Sequence, residues 1–162
     1  MQAAAVSVGL LPIVGVSVRA MLGSLGANPI EEITHVTGEW TLRWLLVSLS
    51  ITPLRQLGGV PRIAPLRRTF GLLAFFYSCL HFLTWLALDH FFDWPEIFED
   101  ILERRFVTVG FLGFLMMLPL AVTSTKAMMR RLGRRWNTLH RLAYTAAICG
   151  VLHYIWLVKA DL

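Results

Sequence analysis

Five histidines punctuate this 162-residue chain, and two of them, His81 and His153, lie deep inside runs apolar enough to cross a bilayer. An ionisable side chain at that depth is costly to bury unpaired, so its presence points to a function. A neutral imidazole offers two possibilities there. It can hydrogen-bond across a helix bundle, or it can give a ring nitrogen to a metal. At 1.5 Å per residue, His81 sits roughly 16 Å from the start of its run and His153 roughly 21 Å from the start of its own. The two runs point the same way, so both histidines fall in the same half of the bilayer. A depth-matched pair on different helices suits the two axial positions of one haem iron, whose apolar macrocycle needs little other polar contact. The chain has no Cys-x-x-Cys-His motif, which makes any such haem b-type.

His140 lies thirteen residues before His153, at the membrane edge. On one continuous helix that separation is roughly 20 Å, with the side chains roughly 140° apart. A second haem would need a partner about fourteen residues before His81. That position is Arg67, which stays protonated and is no ordinary iron ligand. His140 therefore remains open between a second-haem or other cofactor contact, such as a propionate, flavin or quinone, and a helix cap. Arg68, Arg135 and Arg141, with Arg67, could neutralise propionates or a flavin phosphate, or serve only as topology charge. His35 and His90 read as solvated residues at the outer edge.

The elements that must hold these residues are membrane helices. Hydrophobic residues make up 56% of the chain and charged residues 15%, with a mean hydropathy of +0.62. That composition excludes an ordinary soluble domain. Five runs approach the roughly 20 residues a spanning helix needs: 3–22, 40–57, 70–88, 106–124 and 139–158. The second ends at Pro53. The first has no basic leader and carries Arg19 where a cleavage site would be small and neutral, so it reads as a retained span. The fold class is all-α, a polytopic transmembrane bundle forming a single domain over 1–162. Cys79 and Cys149, both inside apolar runs, read as buried apolar residues. The six tryptophans cluster near span ends, as an interfacial belt does.

Charge sets the orientation. The net charge is +5, yet the basic residues occupy short loops, which argues against nucleic acid as a partner. Arg55, Arg62, Arg67 and Arg68 share one loop, and Lys126, Arg130, Arg131, Arg134 and Arg135 another, neither holding an acid. All ten acidic residues fall on the opposite side. By the positive-inside rule the basic loops are cytoplasmic. In the outer loops, Asp93-Trp94-Pro95-Glu96 opens a short amphipathic helix lying in the interface. Asn28-Pro29 opens another, expected to end near Gly38.

Six stretches carry a resemblance: Asn28–Gly38, Thr52–Arg55, Arg67–His81, Ala121–Ser124, Leu132–Tyr144 and His153–Trp156. In order and spacing they resemble the MsrQ/YedZ family, haem-binding membrane subunits of the bacterial periplasmic methionine-sulfoxide reductase system. That family lies within the ferric reductase-like transmembrane superfamily. The resemblance implies a cytochrome b-like bundle in the bacterial inner membrane. It also implies that electrons from the quinone pool or a cytosolic flavin reductase pass through haem b to a periplasmic molybdopterin enzyme that repairs oxidised proteins. His81 and His153 match the family's haem-ligand positions, and His140 its third intramembrane histidine. Arg67 stands where the superfamily has a fourth histidine, so the resemblance leaves the count at one haem or two. FMN is implied as well, although the chain shows no phosphate-cradling glycine loop. A sixth span follows the fifth in family members, so the intact protein is expected to have six. Two rivals are a stand-alone transmembrane reductase of ferric iron or oxygen, and a haem-free scaffold or transporter.

Overall fold

Hydropathy and capping residues account for most of the elements. The computed structural model describes residues 1–59 and 61–160, the side chain at 160 excepted, and among these every regular element is a helix. The chain divides into two compact units, Met1–Phe92 and Asp93–Leu162.

The first unit contains α1 (Gln2–Met21), α2 (Pro29–Gly58) and α3 (Ala64–Thr84). A 3-10 turn, Pro61–Ile63, precedes α3 and a π-helical turn, Trp85–Asp89, follows it. Asn28 caps α2, its Oδ1 accepting from the Glu31 amide at 3.3 Å ahead of Pro29 in the first turn. Two expected boundaries are absent. The helix neither ends near Gly38 nor breaks at Pro53, but runs for 30 residues through both. A glycine costs a helix only about 1 kcal/mol, and a proline removes one ladder bond, so packing against a neighbour outweighs both. The stop comes at Gly59, whose φ of 62° glycine adopts without strain.

α2 and α3 form an antiparallel hairpin. Ser48 Oγ donates to the Arg67 carbonyl at 2.7 Å, and Trp44 stacks on Phe70 with ring centroids 5.2 Å apart. Trp44 is thereby buried instead of joining an interfacial belt. α1 docks on α3 through Gly9, where a Cβ would come within 2.4 Å of Leu73 Cδ1. The fully buried Tyr77 completes that contact: its hydroxyl donates to the Gly9 carbonyl at 2.8 Å and accepts from the Ile13 amide at 3.2 Å. Beyond the π-helical turn, His90 is buried, not solvated as its sequence position suggests, and lies edge-on to Trp85 at 4.6 Å. Phe91 and Phe92 close the unit with φ of 45° and 61°. That left-handed turn is held by Phe92 N–H donating to the Leu86 carbonyl at 3.0 Å.

The second unit contains α4 (Trp94–Glu103), α5 (Arg105–Val122), α6 (Lys126–Leu132), α7 (Arg134–Leu139) and α8 (Leu142–Ala160). Asp93 caps α4 by accepting from the Glu96 amide at 3.3 Å. Ile97 and Asp100 face inward, whereas Trp94, Phe98 and Leu102 are exposed, the profile of an interfacial helix. α5 and α8 pack antiparallel and closely: a Cβ on Gly113 would lie 3.2 Å from Cys149 Cβ. Cys79 and Cys149 are free and half-buried. The fifth expected run, 139–158, is α8 for nearly all its length, but a turn at His140 and Arg141 separates α7 from α8. The ideal-helix relation between His140 and His153 therefore does not apply.

Among the described residues, four helical stretches are long and apolar enough to cross a membrane: Gln2–Met21, Pro61–Asp89, Arg105–Val122 and Arg134–Lys159. α2 is long enough, but its N-terminal half carries Glu31, Glu32, Glu39 and Arg43.

Candidate functional site

His81 and His153 are each set by their own hairpin, and in the same way. In the first unit, α3 presents His81 to α2, where Nδ1 lies 3.0 Å from the Thr34 carbonyl. In the second, α8 presents His153 to α5, with Nδ1 2.7 Å from the Phe106 carbonyl. A carbonyl oxygen only accepts, so Nδ1 carries the proton in both rings. In the neutral imidazole Nε2 is then the basic nitrogen, the atom that ligates iron. The cross-helix hydrogen bond and metal ligation are thus compatible, since they use different nitrogens. Both side chains are half-buried.

Each ring also lies against a glycine. A Cβ on Gly38 would approach His81 Cε1 to 2.9 Å and Nδ1 to 3.0 Å. One on Gly110 would approach His153 Nδ1 to 2.6 Å. Neither glycine stands out as a ligand-supporting residue in the sequence. The signal that could have found them is their equal spacing from the two histidines.

At the opposite end of each hairpin, a polar side chain reaches back to a threonine near the end of the first helix. Arg67 Nη1 donates to Thr52 Oγ1 at 2.8 Å. His140 Nε2 lies 3.0 Å from Thr123 Oγ1, whose own proton goes to the Pro119 carbonyl at 2.6 Å. The histidine is accordingly the donor, so Nε2 carries its proton. Trp136 stacks on that imidazole with centroids 3.9 Å apart and donates Nε1–H to the Thr123 carbonyl at 3.0 Å. A protonated Nε2 and a guanidinium are both poor iron donors, whereas His81 and His153 fit a haem.

The remaining arginines are spread out. Arg68 is exposed and borders a groove with Gln2, Val6 and Leu72, and Arg135 and Arg141 are exposed in the second unit. Thr52, Thr123 and Tyr77 are further residues of evident consequence; each lies in a stretch that carries the resemblance, but nothing in the sequence singles out its side chain.

The ferric reductase like transmembrane component model matches residues 37–151. Three similar proteins are described as the heme-binding subunit MsrQ of protein-methionine-sulfoxide reductase. That of Rhodospirillum rubrum is 54% identical over 154 residues, covering 94% of this chain and 74% of the relative. That of Herminiimonas arsenicoxydans is 52% identical, covering 91% and 68%. That of Caulobacter vibrioides is 49% identical, covering 93% and 72%. No solved structure matches the chain. With about half its residues shared along nearly its whole length, and the family model matched in both units, this membrane protein belongs to the MsrQ family of ferric reductase-like transmembrane proteins.

Proposed function

We propose that the chain is the haem b-containing electron-transfer subunit of a periplasmic methionine-sulfoxide reductase system. In this reading His81 and His153 are the axial ligands of one haem. The observation that carries it is the repeated geometry: two histidines, each with Nδ1–H committed to a backbone carbonyl, which makes Nε2 the basic nitrogen of the ring. Bound haem supplies a one-electron ferric–ferrous couple. The chain's own part is to hold the ligating rings and keep their surroundings apolar. It carries no catalytic residue of its own, because the sulfoxide chemistry belongs to the partner.

The wider proposal follows from charge and kinship. The second helix serves as a fifth span, the family model running across both units supports one cytochrome b-like domain over 1–162, and the basic loops face the cytoplasm of a bacterial inner membrane. Electrons come from the quinone pool or a cytosolic flavin reductase, with FMN as a further carrier. They leave on the acidic outer side for a molybdopterin-containing periplasmic reductase that repairs oxidised proteins. Arg68, Arg135 and Arg141 neutralise propionate or phosphate at the inner face. His140 and Arg67 brace the inner ends of the two hairpins.

The test is the visible spectrum of the detergent-purified protein, oxidised and dithionite-reduced, with a pyridine haemochrome assay. Sharp reduced α and β bands with one b-type haem per chain are expected, and His81→Ala and His153→Ala should each lose them while still inserting in the membrane. A folded protein that takes up no haemin would sink the reading in favour of a scaffold or transporter.

A further inference from the structure

The two histidine settings match in more than their hydrogen bonds. In each hairpin the acceptor carbonyl lies the same 47 residues before its histidine. The glycine follows that carbonyl by one helical turn in both, as Gly38 follows Thr34 and Gly110 follows Phe106. On an α-helix the carbonyl of residue i points toward residue i+4, whose Cβ tilts back over it. A glycine at i+4 therefore leaves the carbonyl open to a donor from the neighbouring helix. The sequence around the two sites has little else in common, so the recurrence concerns this one arrangement.

We propose that Gly38 and Gly110 are positioning residues for the two imidazoles, each exposing the backbone carbonyl that takes the Nδ1 proton and so fixing the ring and its donor strength. This assignment rests on the proposed haem ligation by His81 and His153. A helical glycine is a poor helix former, so propensity alone would favour alanine at both positions. Here alanine is excluded by contact instead: its methyl would sit 2.6 Å from His153 Nδ1 and 3.0 Å from its Cε1 and Cγ. Ordinary contact begins near 3.5 Å, so the ring must retreat by about 1 Å. An Nδ1···O separation of 2.7 Å does not survive that retreat as a good hydrogen bond. At Gly38 the methyl would meet His81 at 2.9 and 3.0 Å, a milder displacement.

Donation from Nδ1 pushes electron density toward Nε2 and favours ferric over ferrous iron. Weakening it should raise the midpoint potential. Second-shell partners of ligating histidines are typically worth about tenfold or more in metal affinity. A tenfold loss of ferric preference corresponds to ~59 mV for one electron.

The experiment uses the full chain, purified in detergent, with haem stoichiometry, low-temperature EPR of the ferric state and a redox titration. Gly110→Ala should move the low-spin g-values and raise the potential by about tenfold in ferric preference, or should lose haem while the chain stays inserted and folded. Gly38→Ala should shift both readouts in the same direction by less. Gly113→Ala, which tightens the same α5–α8 contact against Cys149 without touching an imidazole, should leave both unchanged. Should Gly110→Ala fail to accumulate, Gly38→Ala carries the test. Wild-type protein with haem and unmoved g-values and potential in the glycine variants would overturn this assignment alone. Wild-type protein without haem would overturn the proposed function and this assignment with it.

Discussion

The Tyr77 hydroxyl bridges the Gly9 carbonyl and the Ile13 amide, two groups one turn apart on α1 on either side of Pro12. It donates to the first and accepts from the second, joining α1 to α3 through backbone groups that an apolar surrounding leaves without water. Tyr77→Phe keeps the ring and removes both bonds. The expected loss is about 1–3 kcal/mol, the usual penalty for orphaning buried polar groups. Denaturation followed in detergent should show it, with the haem spectrum unchanged; a variant as stable as wild type would refute the bridge.

Gly9 and Gly15 lie on the same helix and should respond oppositely to alanine. A Cβ at Gly9 runs into Leu73 at 2.4 Å, whereas one at Gly15 meets nothing within 4 Å. Gly9→Ala should destabilise the α1–α3 contact by about 1–3 kcal/mol, the range for overpacking. Gly15→Ala should gain about 0.5–1 kcal/mol from helix propensity. Equal shifts in melting temperature for the two variants would show that α1 does not dock as described.

His140 donates Nε2–H to Thr123, so one haem per chain is the expected stoichiometry and His140→Ala should preserve it. The pyridine haemochrome ratio is the measurement. A fall to half in the variant would make His140 a ligand of a second haem. The structural effect should be confined to the end of the second unit where Trp136 loses its stacking partner, at about 0.5–1.5 kcal/mol for the lost hydrogen bond.

Glu32 ties the chain between α1 and α2. The Gly26 amide donates to its carboxylate at 2.8 Å and Arg19 pairs with it, which together hold its pKa below the ordinary 4.5. A lowered folded-state pKa contributes stability above the ordinary range and loses it as the pH falls through the lowered value. Protease cutting in the 22–28 connection should therefore rise as the pH drops below about 4.5 with an acid-stable protease. Glu32→Gln should flatten that dependence, and salt should weaken it, since the pair is partly exposed. A pH profile unaltered by Glu32→Gln would remove the clasp from the account.

Much of this protein is legible from one dimension. Hydropathy marks the apolar helices because a chain in lipid must satisfy its own backbone, and Asn28 and Asp93 mark two helix starts because a cap is a local interaction. His81 and His153 stand out for the same reason: an ionisable residue in an apolar run is conspicuous without any structure. The order and spacing of short motifs were enough to indicate the family.

What the sequence missed depended on neighbours far along the chain. Gly38 and Pro53 look like helix ends, but α3 packs along α2 from Thr34 to Thr52 and outweighs their local preference. His90 looks solvated until Trp85 covers it, and the apparent single helix through His140 divides where Trp136 and Thr123 hold the imidazole. The roles of Gly38 and Gly110 lie in an absent Cβ, which matters only when a second helix brings a ring against it. Composition and periodicity determined what the helices are made of and that they belong in a membrane. Tertiary packing alone decided which carbonyl each histidine meets, because a hydrogen bond between residues 47 apart exists only once two helices have found their register.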